Sequence, residues 1–141
     1  MEVNLRMSMV SNCIFCQIIS KKKALKIYED QKTVCLLDIN PISRGHSLII
    51  PKKHFRTIFD IDNEELKEII ITTKKVSKML KEKLNANGVN ILHASGKSAQ
   101  QSVFHFHLHL VPRYKNDRLD TWPKSNYQEK SLKEVYQKIK K

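Results

Sequence analysis

Val103-Phe104-His105-Phe106-His107-Leu108-His109-Leu110-Val111 alternates histidine with large apolar side chains at a strict period of two. A β-strand turns successive side chains to opposite faces. The spacing therefore predicts a strand over 104–111, with His105, His107 and His109 on one face and Phe104, Phe106, Leu108 and Leu110 on the other. A helix would scatter the three rings around its surface. One face of this strand enters a core, and the other presents imidazoles to something polar. Half of the six histidines in the chain fall within five residues. Alternate side chains on a strand stand about 7 Å apart at their bases, close enough to converge on one small anion or metal ion. Two chemistries fit that row. Paired histidines on a strand can hold zinc, or a neutral imidazole can attack an electrophile while its neighbours hold charge. Phosphorus suits the second, because a phosphorylated imidazole is a good leaving group.

Outward from the row, the polar loop 95–102 precedes it, offering Ser102 and main-chain N–H groups to phosphate oxygens. Upstream of that loop, 89–92 reads as a strand. Further upstream, Leu66, Ile69, Ile70, Val76, Leu80 and Leu84 recur at three- and four-residue steps and predict a helix over Asn63–Leu84. Asp62 is its N-cap, Glu65 completes a capping box, and Asn87-Gly88 supplies the stop. Three strand-like runs come earlier, at Lys26–Glu29, Thr33–Leu37 and 47–50, with turn residues crowded between the last two. A short helix fits 13–20, and a final helix around 129–140 carries Leu132, Val135, Tyr136 and Ile139 on one side. Strands joined by short links with one long helix predict an α+β fold around an antiparallel sheet. Residues 1–12 read as a flexible tail and 13–141 as a single domain.

The 141 residues suffice for a core without covalent staples. No apolar run approaches the ~20 residues needed to cross a bilayer, and the first residues lack the apolar stretch of a secretory signal, so a cytoplasmic location is expected. Three cysteines, two of them only three residues apart, argue against a disulfide framework. The formal charge of +12 fits either a solvated lysine-rich surface or a basic patch for an anionic ligand. The lysines are spread along the chain without interleaved aromatics, so nucleic acid is not an expected partner.

His105-Phe106-His107-Leu108-His109-Leu110-Val111 resembles the signature of the histidine triad (HIT) family of nucleotide hydrolases and transferases. The resemblance extends in order through Ile14-Phe15 and Ile18-Ile19, Tyr28-Glu29-Asp30, Leu37-Asp38-Ile39-Asn40-Pro41, Gly45 to His54, Gln101-Ser102-Val103 and Pro112-Arg113-Tyr114. It spans about residues 13 to 122 and is most similar to the prokaryotic Hint-like branch, usually purine nucleoside phosphoramidases. The resemblance implies a HIT-like sheet of about five strands, a homodimer formed through the long helix and a sheet strand, and a purine nucleotide substrate. It implies that His107 is the nucleophile forming a nucleotidyl-histidine, that His109 holds phosphate oxygens, and that His46 orients the histidine relay. Ser102 would stand near the leaving group and Gln101 near the phosphate. Asp38 would accept from the ribose hydroxyls, and Ile39 would line the base pocket. No catalytic metal is required. The alternatives are a dinucleoside polyphosphate hydrolase of the Fhit-like branch and a non-enzymatic nucleotide-binding module.

Two positions depart from the family pattern. Ala94 stands where an Asn is usual, seven residues before Gln101, and Gln100 replaces a common glycine. His93 is adjacent, but strand alternation would point it the other way. Cys13-Ile14-Phe15-Cys16 is a C-x-x-C pair, which by itself is either half of a zinc site or two reduced thiols. Several prokaryotic HIT proteins hold a structural zinc at positions matching Cys13, Cys16, His54 and His105, so the resemblance implies that cofactor here. Cys35 reads as a small core residue. Trp122 either caps the core or lies on a segment reaching toward a partner subunit.

Overall fold

The computed structural model describes residues 12–21 and 24–141. Apart from Asn12, the expected tail 1–12 lies outside the described residues. Five strands form one antiparallel sheet: β1 (Lys26–Glu29), β2 (Thr33–Leu37), β3 (Ser47–Pro51), β4 (Gly88–Leu92) and β5 (Leu108–Arg113), in the order β1-β2-β3-β5-β4. Helix α1 is Ile14–Ser20, α2 is Asn63–Leu84 and α3 is Leu132–Lys140.

Period-two alternation sorts the strands between two apolar layers. Cys35, Ile49, Leu108 and Leu110 pack with Phe106 against Ile69, Val76 and Leu80 of α2. On the opposite face, Val34, Leu36, Leu48 and Ile50 pack against Cys13, Phe15, Cys16 and Ile19 at α1. The sheet is thus covered on both faces, and His105 and His107 of the histidine row meet Phe15 on the α1 side. Cys35 is a core residue, and burial pushes its thiol pKa up to about 12.

Four local expectations are corrected. The strand carrying the histidines begins at Leu108 and runs to Arg113, so His105 and His107 precede it. Their backbone is held from outside the ladder: Phe106 N–H donates to the carbonyl of Phe55 at 2.6 Å. Phe104 leaves the core face and stacks with the Arg56 guanidinium, 4.9 Å from the ring centroid. Asp62 caps α2 through Glu65 N–H at 2.9 Å, but the Glu65 side chain turns to Lys32 at 3.7 Å instead of closing a capping box. The stop of α2 falls just ahead of Asn87-Gly88, at Asn85, whose φ of 55° supplies the left-handed cap. No helix among the described residues is long and apolar enough to cross a membrane.

Candidate active site

The turn between β2 and β3 delivers His46. Gly45 has φ of +86°, a left-handed conformation that favours glycine, and a Cβ there would also press on Leu84 Cδ1 at 2.4 Å. The Ile42 N–H donates to His46 Nδ1 at 3.2 Å, which leaves the His46 proton on Nε2. That nitrogen donates to His109 Nδ1 at 2.9 Å. His109 therefore carries its proton on Nε2. In the next position of the row, His107 Nδ1–H donates to the His105 carbonyl at 2.7 Å, so the His107 lone pair is on Nε2. The His107 and His109 rings stand 5.0 Å apart between centroids. One free lone pair and one free N–H donor thus stand side by side.

Burial keeps these rings neutral. It lowers the pKa of His46 and of His107, and it takes His109 to about 4 with help from His107 and His46, against a smaller opposing pull from Asp38. His107 and His109 open onto a cleft of about 660 Å³ whose remaining wall is mostly apolar, including Phe15, Ile18, Leu36, Ile39 and Leu48. Asp38 and Ser102 also line it. Asp38 accepts the Asn40 N–H on Oδ1 at 2.8 Å, and its Oδ2 lies 3.5 Å from His46 Nε2 and 4.0 Å from His109 Nδ1. Ile39, 91% exposed, stands at the cleft mouth.

Behind the triad, Cys13, Cys16, His54 and His105 bring four ligand atoms within 4.8 Å of one another. Zinc bonds of about 2.3 Å to sulfur and 2.0–2.1 Å to nitrogen imply tetrahedral edges of about 3.5 Å for S···N and 3.3 Å for N···N. The observed edges are 3.4 Å for Cys13–His105, 3.4 Å for Cys16–His54, 3.5 Å for Cys16–His105 and 3.2 Å between the two histidine Nδ1 atoms. His105 Nε2–H donates to the Pro51 carbonyl at 2.8 Å, turning the Nδ1 lone pair toward the other ligands. The donor set and its spacing fit zinc. A second trio, Asp38, His46 and His109, is equally compact, but the Ile42 N–H on His46 Nδ1 leaves Nε2 protonated and without a lone pair for a metal.

The sequence profile of the HIT domain matches residues 20–116. An uncharacterized HIT-like protein of Borreliella burgdorferi is 43% identical over 110 residues, covering 75% of this chain and 78% of that protein. The chain belongs to the HIT family. Adenylylsulfatase HINT3 of Arabidopsis thaliana is 36% identical over 124 residues, covering 87% of this chain and 62% of that protein. The crystal structure of a zinc-bound histidine triad family protein from Mycobacterium smegmatis superimposes with a TM-score of 0.74 at 38% identity, covering 78% of this chain and 81% of that one.

Within this HIT site one expected contact is corrected. Gln101 is buried and does not reach the cleft. Its Oε1 accepts the Gly96 N–H at 2.8 Å, and its Nε2 protons go to the carbonyls of Arg56 at 2.7 Å and Val103 at 3.1 Å. No amide N–H is left for a phosphate oxygen, so Gln101 shapes the loop that carries Ser102. Trp122, 81% exposed, does not cap the core. The orientation expected for His93 is corrected as well. His93 follows the end of β4, so strand alternation does not govern it, and its Nδ1 lies 2.8 Å from the His107 carbonyl. No signal in the local sequence marks that contact, because its partner is fourteen positions away.

Proposed function

We propose that this HIT protein is a nucleotide hydrolase acting on nucleoside phosphoramidates, or on related esters and anhydrides of nucleoside monophosphates. The observation that carries the reading is the pairing of an unprotonated His107 Nε2 with the His109 Nε2–H at the head of an apolar cleft. His107 Nε2 attacks the α-phosphorus, forming an N–P bond as the bond to the amine or alcohol breaks. As charge develops on the His107 ring, its Nδ1–H bond to the His105 carbonyl strengthens. His109 donates to a phosphate oxygen, and His46, oriented by the Ile42 N–H, fixes the tautomer of His109. Ser102 stands near the leaving group, which takes a proton from solvent water as it departs; the water of the second step returns that proton to solvent. Water then displaces His107, releasing the nucleoside monophosphate and returning the free imidazole.

Asp38 is assigned to the ribose hydroxyls, a two-oxygen acceptor meeting two donors, and Ile39 with the apolar wall to a purine base. The name of the Arabidopsis relative supports a nucleotide hydrolase. Zinc held by Cys13, Cys16, His54 and His105 would be structural, binding α1 to the segment before β5, and the M. smegmatis structure supports that metal. Cys13, Cys16 and Cys35 form no disulfide among the described residues, which fits a reducing cytoplasm. A homodimer through the outer edge of β4 and the exposed Ile70 and Ile71 of α2 completes the reading, and the mass in solution checks it.

Incubation with an adenosine phosphoramidate tests the chemistry. Wild-type protein quenched in alkaline denaturant, where an N–P bond survives, should carry a nucleotidyl adduct, and His107→Ala should form none and lose several orders of magnitude in kcat/KM. A variant keeping more than about a tenth of the wild-type value, a loss of only ~1.4 kcal/mol, would show that His107 is not the nucleophile. Binding of the nucleotide without any turnover by wild-type protein would favour a binding module instead.

A further inference from the structure

We propose that His93, backed by Ser95, is a positioning residue for the nucleophile: its Nδ1–H holds the main-chain carbonyl of His107 and so sets where the His107 ring stands in the cleft. The inference rests on His107 being the nucleophile.

The β4–β5 ladder runs from Gly88↔Arg113 to Leu92↔His109 and ends there. The carbonyl of His107 lies just beyond that end, where no strand partner reaches it from β4. His93, the first residue after β4, supplies the missing donor from its side chain at 2.8 Å. The direction of the bond is determined by what lies behind it. Ile58 N–H donates to Ser95 Oγ at 2.8 Å, and Ser95 Oγ is 2.5 Å from His93 Nε2. The Ser95 hydroxyl donates a hydrogen bond to Nε2, which leaves the His93 proton on Nδ1, where the carbonyl requires it. The Phe106 ring lies beside the imidazole, with centroids 4.4 Å apart and planes 32° from parallel.

His107 is thereby gripped at two points, its carbonyl by His93 and its ring by the His105 carbonyl. The grip extends to the segment after β3. That segment supplies His54 to the metal centre, the Phe55 carbonyl to Phe106 N–H, the Arg56 carbonyl to Gln101 and the Ile58 N–H to Ser95. His93 and Ser95 flank Ala94, the position where the family pattern has a polar side chain. His93 does not line the cleft, so its effect passes through His107.

Three variants test this, assayed on the full chain with an adenosine phosphoramidate beside His107→Ala. His93→Phe keeps a ring against Phe106 but loses both hydrogen bonds. His93→Asn puts an amide N–H where Nδ1 was, and loses the bond to Ser95 and the ring contact with Phe106. Misplacing reacting atoms costs rate more than ground-state binding. The Phe variant should therefore lose about tenfold or more in kcat with KM within about twofold, and the Asn variant should recover most of that loss. Wild-type kcat in the Phe variant, with His107→Ala inactive, overturns the positioning role and leaves the nucleophile assignment standing. Equal losses in the Phe and Asn variants, accompanied by lowered melting temperatures and raised KM, also overturn it, because they describe a structural residue. An active His107→Ala removes the reading beneath it. Should the Phe variant not fold, Ser95→Ala decides: about threefold lower kcat at unchanged KM supports the chain of bonds, and wild-type kcat refutes it.

Discussion

Replacing His109 by glutamine should flatten the acid side of the protein's stability profile. His109 is held near a pKa of about 4, first by burial and then by the neighbouring His107 and His46, against about 6.5 in an unfolded chain. The folded value is the lower one, so on acidification the unfolded chain takes up this proton first. The contribution is fully present above pH 6.5 and is lost as pH falls toward 4. At pH 5 the lost stability from this one group is about 2 kcal/mol, and by pH 4 it approaches 3 kcal/mol. The substituted side chain does not titrate, and its amide oxygen can still accept the His46 Nε2–H. Urea unfolding of both proteins at pH 7 and pH 5 measures the effect. The His109→Gln variant should lose about 2 kcal/mol less than wild type between those two pH values. Any zinc held by Cys13, Cys16, His54 and His105 would be released at low pH from both proteins alike and drop out of the difference. Equal losses would refute a neutral, desolvated His109 and with it the tautomer assigned to the relay. The same burial lowers the His107 pKa, so the acid fall in kcat/KM should begin below pH 6.5.

Asp38→Asn should weaken nucleoside monophosphate binding about tenfold while leaving a 2′,3′-dideoxy analogue unaffected. The amide oxygen can still accept the Asn40 N–H that Oδ1 now accepts, so equal loss for both ligands in a binding titration would assign Asp38 to the histidine relay and not to the ribose. Cys16→Ser, or chelation, should lower the melting temperature by several degrees, because structural zinc supplies folding free energy. Activity below that temperature should fall much less; metal analysis finding well under about half an equivalent per chain, with wild-type stability in chelator, would refute the zinc.

What the chain determines by itself is whatever depends on neighbours in sequence. The alternation at 104–111 separates the imidazoles from Phe106, Leu108 and Leu110, and the core divides along that line. The three- and four-residue steps of α2 and the Asp62 cap are equally local, and both are found where the spacing puts them. Motif order was enough to indicate the family, because several short motifs in sequence are far more specific than any one of them. Tertiary structure decided where each polar atom is spent. Glu65 fits a capping box, yet Lys32 from another segment draws it away. Gln101 reads as a phosphate ligand, but the carbonyl of Arg56, far upstream, takes its amide proton. The strand over 104–111 gives way to an irregular entry, because Cys13, His54 and the Pro51 carbonyl hold the His105 ring and the Phe55 carbonyl holds Phe106 N–H off the ladder. His93 turns to His107 because β4 ends at Leu92, and only pairing with β5 places that end. Cys13 meets His105 across 92 positions of chain. Periodicity reports which face a side chain takes, but a hydrogen bond needs a partner at about 3 Å, and only packing of distant segments brings one there.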